Sequence, residues 1–115
     1  MPSGIFQTTI TGISSTTGFN SSQVYFPDWM VRPFSVGIGC VANSTSIVYT
    51  VEHSFDYSGS STWISSNATW FPNSGITAKT TNQDGSYSFP VTAIRVQSSA
   101  GSSTGTVTMT VVQAG

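Results

Sequence analysis

The chain has 115 residues and seven charged side chains, three Lys or Arg against four Asp or Glu, for a net charge of −1. At 6% charged residues no basic patch exists to neutralise phosphates, which excludes a nucleic-acid binder. The 38 Ser and Thr with no Leu exclude an all-α fold, and 37% hydrophobic residues exclude a disordered chain.

One domain spanning 1–115 is expected at this length. MPSGIFQTTI lacks the basic flank and apolar run of a secretory leader, and no stretch reaches the roughly 20 apolar residues that span a bilayer. The expectation is a soluble product of a cytoplasm with no membrane partner. IFQTTITGI reads as a first strand followed by a loop, ISSTTGFNSS (13–22). Residues 1–22 read equally as an N-terminal arm lying on a neighbouring subunit.

YFPDWMVRPF (25–34) follows. Pro27 and Pro33 cannot donate to a ladder, so the segment joins two strands. Asp28 and Arg32 are expected to pair near the bend, while Phe26, Trp29, Met30 and Phe34 divide between core and exposed edge. Aromatic, Met and Arg residues together are the composition that interfaces favour. In FSVGIGCVA (34–42), Val36, Ile38, Cys40 and Ala42 point inward. Gly37 and Gly39 point the other way, where they would admit a neighbouring backbone or bulky side chain. Cys40 is the only cysteine, which excludes an internal disulfide and suits a small buried hydrophobe.

SIVYTVEHSFDY (46–57) alternates over twelve residues. Ile47, Tyr49, Val51, His53, Phe55 and Tyr57 take one face, and Val48, Thr50, Glu52, Ser54 and Asp56 the other. The Ser-rich loop SGSSTWISSN (58–67) carries Trp63 and Ile64, either tucked onto the sandwich or offered to a partner. WFPNSGIT (70–77) then repeats the aromatic-Phe-Pro-Asx core of the first corner. QDGS (83–86) carries the Asp-Gly pair of a tight hairpin turn, and YSFPVTAIRVQ (87–97) predicts a strand with Pro90 at an edge or bulge near its start. SSAGSSTG (98–105) reads as a hairpin loop into GTVTMTVVQ, where Val107, Met109 and Val111 alternate with Thr106, Thr108 and Thr110. The sum is an all-β, antiparallel β-sandwich of seven to eight short strands, jelly-roll or Ig-like in order.

Catalytic chemistry is sparse. His53 is the only histidine, and alternation puts Glu52 and Asp56 on the opposite face, so no triad is in prospect. Lys79 has no partner signature, no phosphate loop or HExxH occurs, and Asp84 with Asn82 falls far short of a calcium loop. No catalytic residue, cofactor or metal is therefore expected. Sequons at Asn20, Asn43 and Asn67 are chance matches in a Ser/Thr-rich chain. A glycan platform of Tyr25, Trp29, Trp63 and Trp70 is the alternative to rings that fill a core or subunit interface.

YFPDWM, WFPNSG and the ending FPVTAIRVQSSAGSSTGTVTMTVVQAG carry a resemblance. Together they resemble small virion structural proteins of tailed bacteriophages, of the head-decoration (cement) class. The resemblance implies a homo-oligomeric β-sandwich on the capsid surface that binds the major capsid protein or other virion proteins. It supplies no active-site residue. The low charge leaves tail, neck and fibre positions open. Phe26, Trp29, Met30, Arg32, Trp63, Trp70 and Phe71 are the expected contact residues.

Overall fold

The computed structural model describes residues 4–11, 24–43, 48–57, 59, 67–100 and 106–113. Wherever the sequence alternates apolar and polar residues, it pairs into antiparallel ladders. The strands are β1 (Gly4–Thr11), β2 (Val24–Tyr25), β3 (Val36–Ala42), β4 (Val48–Ser54), β5 (Phe71–Pro72), β6 (Gln83–Tyr87), β7 (Ala93–Ala100) and β8 (Thr106–Gln113). They form two four-stranded sheets, β1-β8-β3-β6 and β2-β7-β4-β5. Four pairings, β1 with β8, β2 with β7, β3 with β6 and β4 with β5, are those of one long antiparallel ribbon. Contacts of β8 with β3 and of β7 with β4 then fold that ribbon into two sheets. This is the strand order of a jelly roll.

The core lies between the sheets. Val36, Ile38 and Cys40 face Tyr49, Val51, Ile94 and Val96 across it, with Val107, Met109 and Val111 completing the layer. Each such aliphatic side chain contributes about 1.5–3 kcal/mol by leaving water. Cys40 is buried as the alternation implies, and burial pushes its thiol up to about 12.

Several expected elements take another form. QDGS is no turn: Gln83–Tyr87 is the edge strand β6, with Gly85 opposite Ile38 and Asp84 opposite Gly39. Gly85 serves packing instead, because a Cβ there would lie 2.9 Å from Ile76 Cδ1. Conversely, Gly37 and Gly39 admit no close neighbour: a Cβ on Gly39 would meet nothing within 4 Å, and one on Gly37 only the Val112 carbonyl oxygen at 4.0 Å. The 87–97 stretch is broken, since Tyr87 ends one sheet's edge strand and β7 starts at Ala93 in the other, with Pro90 in the crossing. The last two strands likewise lie in different sheets, so their connection is a crossover and not a hairpin. Its residues 101–105, the 13–22 loop, Ile47, Trp63 and Ile64 lie outside the described residues.

Strand β4 stops at Ser54, short of Tyr57. The Ser54 hydroxyl donates to Asp56 Oδ1 at 2.5 Å and accepts the Asp56 N–H at 3.4 Å, a local turn that competes with the ladder.

Candidate functional site

Three connections meet at one end of the sandwich: β2–β3 (26–35), β4–β5 (55–70) and β6–β7 (88–92). The register brings Val36, Tyr87 and Gln113 level there in one sheet, and Tyr25, His53 and Phe71 level in the other. Bonds between the sheets close this end. Tyr25 donates its hydroxyl to Gln113 Oε1 at 3.1 Å, and His53 Nδ1 shares a 2.8 Å hydrogen bond with the Tyr87 hydroxyl.

Three Phe-Pro pairs lie at this end: Phe26-Pro27 and Phe89-Pro90 in two of the connections, and Phe71-Pro72, which is strand β5 itself. Proline lacks the donor that would continue a ladder and holds the preceding residue extended, so the first and third pairs lie off the sheets and the second forms only a two-residue edge strand. All three Phe side chains are exposed, as are Trp29, Met30 and Phe55 at the same end. With Trp29 at 47% and Met30 at 69% exposure, these six present on the order of 600 Å² of apolar surface, taking about 200 Å² for a whole large side chain.

A ring cluster stiffens part of this surface. Phe55 lies 5.7 Å from Phe71 and 6.3 Å from Phe89, centroid to centroid. His53 lies beneath all three, at 5.4 Å from Phe55, 5.9 Å from Phe71 and 5.6 Å from Phe89. Burial lowers the His53 pKa, so the ring is held neutral. Burial likewise pushes the Tyr87 hydroxyl up to about 12, which keeps its proton available to the shared bond. Beside this cluster, Phe26 packs on Tyr57 at 4.3 Å. Thr92 stitches two of the connections, giving its hydroxyl to the Ser54 carbonyl at 3.0 Å and accepting the Tyr57 N–H at 3.2 Å.

The expected contact residues distribute unevenly. Phe26, Trp29, Met30, Arg32 and Phe71 are exposed at this end. Trp63 lies outside the described residues. Trp70 is half-buried, with the Arg95 guanidinium 4.1 Å from its ring centroid. Arg95 also pairs with Glu52 at 2.8 Å and donates to Gln97 at 2.8 Å, so Trp70 belongs to a polar brace on the outer face of the β2-β7-β4-β5 sheet. The expected pair of Asp28 with Arg32 does not form. Asp28 Oδ1 takes the Met30 N–H at 3.1 Å, two residues along, because a short carboxylate reaches its own turn more readily than a distant guanidinium.

Phe55 and Phe89 belong to the surface although neither was expected in it. Alternation assigned Phe55 to the core face, and the Ser54–Asp56 turn overrides that. The third Phe-Pro pair was the signal for Phe89.

His53 faces Tyr87 and Phe rings, while Glu52 is engaged by Arg95 and Asp56 by Ser54 and the Thr69 N–H. Among the described residues no three His, Cys, Asp or Glu side chains converge to hold a metal ion. What the arrangement can do is bury apolar surface against another body. Comparison with protein-family models, curated proteins and solved structures returned no match.

Proposed function

We propose that this chain is a non-enzymatic virion structural protein that attaches to a capsid shell through its aromatic end, as head-decoration proteins do. The observation that carries the reading is the convergence of three Phe-Pro pairs, with Trp29 and Met30, on one end of the sandwich. Large exposed apolar surface is costly to keep in water and serves a protein that spends its life docked. Aromatic and Met anchors are the residue types that interfaces enrich. The faces away from this end are hydroxyl-rich and carry little charge, so like copies repel weakly and can sit side by side as a homo-oligomer on a shell.

The test is co-sedimentation with shells stripped of the chain. Trp29→Ala is expected to weaken attachment by about 2 kcal/mol, roughly thirtyfold in Kd, the scale of an interface hot spot. Shells that retain a full complement of the mutant would overturn the reading. Wild-type protein that ignores shells but binds a saccharide array would move the function to a glycan module. Of that platform, Tyr25 is half-buried with its hydroxyl on Gln113, and Trp70 lies under Arg95, which leaves Trp29 among the described residues to carry it.

A further inference from the structure

Strand β2 is two residues long, and past Tyr25 the chain has no ladder to satisfy its backbone. At Asp28 a side chain takes the ladder's place. Gln113 Oε1 accepts the Asp28 N–H at 2.9 Å, and Gln113 Nε2 donates to the Asp28 carbonyl at 2.9 Å. One primary amide thus pairs both backbone groups of one residue, as a neighbouring strand would. The same Oε1 accepts the Tyr25 hydroxyl, and the Asp28 carbonyl also accepts the Val31 N–H at 3.3 Å. Gln113 is 2% exposed, and its backbone is fixed between Gly4 and Val36 on the two adjacent strands. Such a side chain has little freedom to lose.

We infer that Gln113 is the positioning residue of the docking end: its amide latches the corner at Asp28 so that Trp29 and Met30 project before any partner arrives. The inference deepens the docking reading and rests on it for its purpose, though the latch itself is measurable without a partner. A preformed loop binds without the ordering cost that a loose one would carry. It also couples the last strand of the sandwich to the surface the first corner presents.

Amide hydrogen exchange on the full chain tests this, with wild type, Gln113→Glu and Gln113→Leu. At pH 8 the Glu variant keeps an oxygen to accept from Tyr25 and Asp28 but loses the donor, leaving a carboxylate against the Asp28 carbonyl. Exchange at Asp28 and Met30 is expected to rise about tenfold or more, while amides of β3, β4 and β7 hold their wild-type rates. Gln113→Leu should do the same at every pH. At pH 5, compared with wild type at that pH, Gln113→Glu should recover, since a protonated carboxyl can again accept one bond and donate the other. A merely structural role would spread the loss and the recovery over both sheets, whereas the latch confines them to the corner amides. Unchanged exchange in the corner would overturn the latch, as would acceleration spread across both sheets or failure of both variants to fold. If the latch holds while wild-type protein ignores capsid shells, the docking reading falls and the latch stands.

Discussion

His53 is the residue whose chemistry is most constrained by its surroundings. It lies under Phe55, Phe71 and Phe89, shares its one described hydrogen bond with a neutral phenol, and is 6% exposed. Charging it in place would put an imidazolium where water is scarce. The folded-state pKa is lowered, so between that value and the unfolded value of about 6.5 the unfolded chain binds more protons than the folded one. Stability from the neutral ring is therefore present above about pH 6.5 and is lost as pH falls through that window towards the folded pKa. Denaturant midpoints measured from pH 8 to pH 5 should decline for wild type. His53→Gln, which cannot be protonated, should flatten that part of the curve. A wild-type midpoint that rises on acidification would mean that protonated His53 finds a stabilising partner.

At the scale of strands, the glycines give a paired prediction. Gly85 sits in edge strand β6 with Ile76 against the space a methyl would need, so Gly85→Ala should destabilise by about 1–3 kcal/mol through overpacking. Gly39 sits in interior strand β3 with open space beside it, so Gly39→Ala should be neutral or stabilise by roughly 0.5–1 kcal/mol. Thermal unfolding of the two variants separates them, and equal shifts would refute the packing assignment. Sequence alone misread both glycines, yet it was a good guide to the core around them. Alternation in β3, β4 and β8 identified Val36, Ile38, Tyr49, Val51, Val107 and Met109 as core because burial of one face is a local, period-two property. Asp-Gly at 84–85 looked like a turn because the crowding by Ile76 is a tertiary fact that no window of sequence contains. Which strands neighbour each other is equally non-local: β7 and β8 are consecutive, yet the ribbon fold puts them in opposite sheets. The bend at 25–34 was legible through its prolines and aromatics, whereas the side chain that holds it at Asp28, 85 residues away at Gln113, was not.

For the molecule as a whole, the distribution of charge sets how attachment should respond to salt. Seven charged side chains serve 115 residues, and several are already engaged: Glu52 with Arg95, Asp56 with Ser54 and Thr69, and Asp28 with the Met30 N–H. The aromatic end offers rings and a thioether, with Arg32 as its exposed cation. Salt largely screens exposed charges farther apart than a Debye length, about 10 Å at 0.1 M, and leaves apolar burial intact. Affinity for shells should therefore change by less than about threefold between 0.05 and 0.5 M NaCl, a range over which charge-driven association falls steeply. Replacing Phe55 and Phe89 together by Ser should cut attachment at every salt concentration. The cost to folding should be small, because both rings are about half exposed already, at 51% and 47%. Steep loss of wild-type attachment with salt would instead make Arg32 the anchor and the rings bystanders, and Arg32→Gln would then abolish the salt dependence.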